Sequence, residues 1–191
     1  MIRVLDYDPA WATRFGELER EYRRALDRAG VPFVAIEHVG STAVPGLAAK
    51  PIIDCDIVVG TGQVEAASGV LTALGFLAEG ELGIPQRWAF AEPPRFAPTN
   101  TYVIVAGSLA LRNHLAVRDA LRADPVLRDE YAAVKKAVAR DAADLAEYGR
   151  GKNAVVQRIL AAAGLGDEDL ASIDAAQVPS PDEVPRRPRP H

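Results

Sequence analysis

The run Ile52-Ile53-Asp54-Cys55-Asp56-Ile57-Val58-Val59 constrains this chain more than any other segment. Its length and branched side chains describe a buried strand, yet two aspartates interrupt it. Side chains alternate faces along a strand, so residues two apart share one. Ile53, Cys55 and Ile57 therefore form one apolar face, and Ile52, Asp54, Asp56 and Val58 the other. The two carboxylates project in parallel from α-carbons roughly 6.5–7 Å apart. Partly buried carboxylates that close repel, and one takes up a proton unless a cation intervenes. A magnesium ion held by one or two carboxylates and substrate phosphates removes the conflict. Two ions would suit two-metal phosphoryl transfer. A solvent-facing sheet side also produces such alternation, so the pair needs support from its neighbours.

That support lies upstream, in His38-Val39-Gly40-Ser41-Thr42. A strand ending near Val39 runs into a sharp turn whose amides and hydroxyls can hold phosphate oxygens, particularly if a helical turn follows. An anion-holding loop next to a cation-holding strand is the minimum kit for a metal–nucleoside triphosphate. Lys50 is not a P-loop lysine, because Gly-x-x-x-x-Gly-Lys-Ser/Thr is absent, and no Gly-x-Gly-x-x-Gly follows a strand. A Ser41/His38/Asp54 hydrolase triad assembles on paper, but there is no Gly-x-Ser-x-Gly elbow.

The rest of the chain reads as one domain. Asp8-Pro9 opens a helix with Trp11, Phe15, Leu18, Tyr22 and Leu26 on one face, and Gly30 closes it. Residues 31–39 and 51–59 are expected as strands, 62–74 as a helix closed by Gly75, and 80–99 as irregular with a possible strand at 86–91. Residues 99–107 form a further strand. Ser108 caps a helix to about Ala123, and Asp124-Pro125 starts another that runs to about Tyr148. "GRGKN" reads as a break before a short helix from Asn153 to Ala163. The expected class is α/β (α+β): a small mixed sheet with flanking helices and a helical C-terminal third. The domain spans 1–165; residues 166–191, rich in proline and arginine, are expected to be a disordered tail.

Composition narrows the function classes. With 49% hydrophobic and 25% charged among 191 residues, the chain is an ordinary globular protein. A net charge of -4 argues against a general nucleic-acid binder while leaving room for a local basic cleft. A single cysteine, Cys55, excludes a disulfide framework. Neither a signal peptide nor a bilayer-spanning stretch is visible, so the expectation is a cytoplasmic protein without a membrane partner.

Gly40-Ser41 followed by Asp54-x-Asp56 resembles the signature of the nucleotidyltransferase superfamily, the fold of DNA polymerase beta. More closely, "IEHVGSTAVPGLAAKPIIDCDIVV" is similar to the defining segment of the GrpB family. The likeness continues in "YDPAWATRF", "NHLAVRDALRADPVLRDEYAAVKKAVA" and "EYGRGKNAVVQRIL", covering roughly residues 1–163. Some family members are fused to a dephospho-coenzyme A kinase domain, which is not expected in these residues. The resemblance implies a nucleotidyltransferase fold in which Gly40 and Ser41 hold triphosphate oxygens while Asp54 and Asp56 bind magnesium. In the superfamily a third carboxylate on a later strand often completes the site. The corresponding strand here, "TNTYVIVAG", has no acid; where family members commonly carry histidines, it shows Asn100, Tyr102 and Val103.

The expected function is therefore magnesium-dependent transfer of a nucleotidyl group from a nucleoside triphosphate, ATP in the first instance, to a small acceptor. Ser41, Asp54 and Asp56 are the expected catalytic residues. Gly40, Ser41, Thr42, Lys50, Arg87 and Lys152 are the expected nucleotide contacts. Carboxylate adenylation leading to amide ligation, or a catalytically reduced nucleotide-binding module, are the alternatives. Glu37, His38, Glu79 and Glu81 stand open as bases. Lys152 reads as a helix-start lysine able to reach a triphosphate. His114, Arg118 and Arg122 make a basic helical stripe that reads as solvated by default.

Overall fold

The computed structural model describes residues 2–177. Helix α1 (Ala10–Arg28) follows the Asp8 carboxylate, which accepts from the Ala10 amide at 2.8 Å. Its stripe of Trp11, Leu18, Tyr22 and Leu26 is buried, as the spacing of three and four demands. Strand β1 (Ala35–Val39) leads through Gly40 into a 3-10 turn at Ser41–Ala43. Strand β2 (Ile53–Val59) carries the aspartate pair, and α2 (Val64–Ala73) packs Ala67 and Leu71 inward. Strands β3 (Leu77–Gly80), β4 (Arg87–Ala91) and β5 (Thr99–Val105) complete one five-stranded sheet in the order β1-β2-β5-β4-β3. Only the β2–β5 pair is parallel, so the sheet is mixed.

The chain continues as α3 (Leu109–Ala123), α4 (Pro125–Asp141), α5 (Leu145–Ala162) and α6 (Asp167–Gln177). Ser108 caps α3 and Asp124 caps α4, with Pro125 in its first turn, as the sequence predicts. Three layers result. The odd face of β2 (Ile53, Cys55, Ile57, Val59) packs with α1 and α2 in the main core, around Tyr22, Phe76 and Phe96. A second cluster joins Val44 and Leu47, from the segment after Gly40, to Leu121, Tyr131, Val155 and Ile159 of the C-terminal helices. Ala110 and Leu111 of α3 close the far end against Val58 and Ile104. The aspartate face therefore looks toward the C-terminal helices, not toward the main core.

Three expectations change. Residues 77–80, not assigned to any element from sequence, form an edge strand; Leu77, Ala78 and Glu79 are exposed, so no inward pattern marks it. The α4–α5 break falls at 142–144, and "GRGKN" lies inside α5. Gly151 is there for helix contact: a Cβ on it would lie 2.5 Å from Val138 Cγ1. The expected tail starting at 166 is helical through Gln177, with Ile173 buried; residues 178–191 lie outside the described residues. No helix among the described residues is long and apolar enough to cross a membrane.

Candidate functional site

Asp54 and Asp56 share the even face of β2, as alternation requires. Register sets Asn100 beside Asp54 and Tyr102 beside Asp56 on β5, and Glu37 beside Asp56 on β1. Asp56 is fully buried and Asp54 partly so. Each uses one oxygen toward a nitrogen: Asn100 Nδ2 donates to Asp54 Oδ1 at 2.6 Å, and His114 Nδ1 lies 2.7 Å from Asp56 Oδ2. The other Asp56 oxygen, Oδ1, is buried and has no hydrogen-bond partner. An anionic oxygen left bare in a protein interior is costly, and a cation is the natural remedy. Burial raises the Asp54 pKa, and the Asp56 charge adds to that, while Asn100, His114 and Lys50 oppose it. Burial works against charge on His114, but the Asp56 carboxylate more than offsets it and holds the imidazole above its ordinary pKa.

Gly40 covers the other Asp54 oxygen. Its φ of 69° and ψ of -171° belong to a region open essentially to glycine. A Cβ there would come within 2.8 Å of Asp54 Cγ and overlap Oδ2. The bend thus lets the loop backbone sit directly on the carboxylate. Ser41 is half-buried and close enough to the Tyr131 phenol to oppose the upward push of burial on its pKa. Thr42 differs from expectation: it is 2% exposed, its hydroxyl meets His38 Nε2 at 3.0 Å and donates to the Ile52 carbonyl at 3.3 Å. It braces the loop to β2 and has no hydroxyl to offer phosphate.

Behind the loop lies a basic cluster that sequence reasoning half anticipated. Lys152 and Lys50 Nζ lie 4.6 Å and 5.4 Å from the centre of the Tyr148 ring. Lys135, absent from the sequence-based candidates, is 2% exposed and donates from Nζ to the Ala48 carbonyl at 2.6 Å. Burial, with Lys152 and Lys50 nearby, lowers its pKa to about 7 against the pull of Asp54. Lys152 is lowered by burial too, with Asp54 opposing. Lys152 stands within α5 and not at a helix start, so its placement owes nothing to a helix terminus. Its spacing from Tyr148 was the available sequence signal; a lysine among buried residues of α4 was the missed one.

Arg87 lies in β4, buried on the aspartate side of the sheet, with its guanidinium carbon 4.5 Å from the Tyr102 ring centre. That position falls within the possible strand read at 86–91 from the sequence. The stripe on α3 also departs from the solvated reading. His114 meets Asp56, Arg118 pairs with Glu37 at 2.6 Å and donates to the His38 carbonyl, and Arg122 donates twice to the Ala43 carbonyl. This stripe clamps α3 onto β1 and the loop. Of the bases left open, Glu37 is paired with Arg118, and Glu81 accepts from the Gln86 amide at 2.6 Å. Glu79 is exposed on β3. His38 faces α1, stacked on Phe15 at 4.5 Å, where burial and then Arg122 and Arg118 lower its pKa to about 4. Among the described residues no three His, Cys, Asp or Glu side chains form a ready metal cluster. Besides the carboxylate pair, the same face carries Glu37, which stands beside Asp56 and is paired with Arg118.

The UPF0157 protein SCO7215 of Streptomyces coelicolor is 38% identical over 167 residues, spanning 85% of this chain and 84% of that one. The UPF0157 protein YqkA of Bacillus subtilis is 33% identical over 156 residues, and the match spans 44% of its length. The crystal structure of conserved protein GrpB from Enterococcus faecalis superposes with a TM-score of 0.73 at 29% identity, over 84% of this chain and 96% of that one. A cytoplasmic RNA terminal U-transferase overlaps at a TM-score of 0.45 and 16% identity over 69% of this chain, which says nothing of activity. The profile of the GrpB protein family matches residues 1–162, and the chain belongs to that family.

Proposed function

We propose that this protein is a magnesium-dependent nucleotidyltransferase-fold enzyme that binds a nucleoside triphosphate, ATP in the first instance, and passes its nucleotidyl group to a small acceptor. The observation that carries the reading is the bare, buried Asp56 Oδ1, on the same strand face as Asp54, whose carboxylate lies against Gly40. The residues fit a divalent cation: two carboxylates on one strand face, with two nitrogen donors fixing their orientation. Asp54 and Asp56 would hold magnesium, which supplies positive charge at the reacting phosphorus. The Gly40 loop amides and Ser41 would position the outer phosphates. Lys50, Lys135 and Lys152 gather positive charge on the same side and would neutralise the pyrophosphate as it leaves. The acceptor oxygen forms a bond to the α-phosphorus as the bond to the β-phosphate oxygen breaks.

Asn100 opposite Asp54, where an acid would complete a triad, favours a second reading: a nucleotide-binding module without transfer. Thermal shift with ATP, GTP, CTP and UTP, each with and without magnesium, tests the binding common to both. A shift that requires magnesium and disappears in Asp54→Asn supports the site. No shift with any triphosphate from a folded sample rejects both readings. Release of pyrophosphate with a candidate acceptor then separates enzyme from module.

A further inference from the structure

The acidic pair offers four oxygens, and two are already engaged on the side of β5 and α3. Asn100 Nδ2 caps Asp54 Oδ1 at 2.6 Å, and His114 Nδ1 caps Asp56 Oδ2 at 2.7 Å. Both donors are rigidly placed. Asn100 is fixed by the parallel register with β2, and His114 by a helix whose Ser108 cap and Arg118 and Arg122 contacts hold it against β1. The oxygens left for a metal are Asp54 Oδ2, under Gly40, and Asp56 Oδ1, which has no donor. Two oxygens with phosphates and water complete one octahedral ion.

The β5 side carries positive charge where a second ion would need anionic ligands. Tyr102 stands beside Asp56 in the sheet, its ring centre 5.9 Å from that of His114 and 4.5 Å from the Arg87 guanidinium carbon. Two like cations separated by the ~3.5–4 Å of a two-metal site need bridging carboxylate oxygens. Here those oxygens point to nitrogen donors, with a buried arginine beyond them.

Resting on the reading of Asp54 and Asp56 as a metal–triphosphate site, we propose that this site holds a single divalent cation, on the Gly40 side. Asn100, His114 and Arg87 fill the place of a second with protein donors. The single ion accompanies the triphosphate, and the β5 side meets the acceptor with fixed protein charge. An acceptor bearing an anionic group fits that side better than a neutral one.

The test is low-temperature electron paramagnetic resonance of Mn2+ with a non-hydrolysable ATP analogue and the full chain. One protein-bound, magnetically isolated Mn2+ that is lost in Asp56→Asn is the expected result. A spin-coupled Mn2+ pair in the unmodified protein overturns the single-ion assignment and leaves the nucleotide site standing. A spectrum identical to that of the analogue with Mn2+ alone overturns both. Asn100→Asp, checked for native melting, is expected to add a second ion and the coupled signal. A folded Asn100→Asp that still binds one isolated ion overturns the role given to Asn100.

Discussion

Replacing Gly40 by alanine tests the close approach of loop and carboxylate more directly than removing the carboxylate itself. The backbone at φ 69°, ψ -171° costs a non-glycine residue about 1–3 kcal/mol by itself. The added methyl would also stand 2.8 Å from Asp54 Cγ and 3.0 Å from its Cβ, so Asp54 has to move. Moving it breaks the 2.6 Å bond from Asn100, and a hydrogen bond to a charged group contributes about 1.5–3 kcal/mol. The sum is about 2.5–6 kcal/mol, or a fall in Tm of roughly 5–24 °C for a domain this size. Gly107→Ala is the control, because Gly107 also has a positive φ, 77°, but an added Cβ there meets nothing within 4 Å. It is expected to cost only the backbone part, about 1–2 kcal/mol. Urea and thermal unfolding of the two variants, followed by magnesium-dependent triphosphate shift on each, complete the assay. Gly40→Ala should be the less stable by about 2 kcal/mol and should lose the shift. Equal stabilities, or a normal magnesium-dependent shift in Gly40→Ala, would refute the claim that the loop is seated on Asp54.

Lys135, with a pKa lowered to about 7, must be charged to serve a phosphate, so triphosphate affinity should fall as pH rises from 6 to 8.5. Calorimetric titrations should show that slope in the native protein and a flatter one in Lys135→Met. His38 has a pKa of about 4 in the fold against about 6.5 unfolded. Between those values the unfolded chain binds more protons, so stability is lost as pH falls from 6.5 toward 4, by at most about 3 kcal/mol. Urea midpoints at pH 7 and 4.5 should show the loss in the native protein and a smaller one in His38→Gln. Gly151→Ala should cost about 1–3 kcal/mol through overlap with Val138. The double variant with Val138→Ala should cost less than the sum of the two single variants.

Much of this protein was legible because its signals are local. The 2-residue alternation of β2 alone assigned Ile53, Cys55 and Ile57 to the core and Asp54 and Asp56 to the opposite face. Ser108 and Asp124 announced two helix starts, since a cap acts on amides two or three residues away. Gly40 announced the sharp turn after β1. Together these lead to the fold class, and they pick out the segment proposed as the site. What the chain could not disclose was which distant residues meet. Thr42 and Ser41 are adjacent hydroxyls in sequence, and only packing turns Thr42 toward His38 and Ile52 while leaving Ser41 at Tyr131. Gly151, in a stretch that read as a helix break, proved to be a helix contact, because only the approach of α4 shows what it makes room for. Asn100, His114 and Lys135 come from three separate elements, and the sheet register and helix docking that bring them to Asp54 and Asp56 are tertiary facts. Periodicity determines which way a side chain faces; long-range closure decides what it finds there.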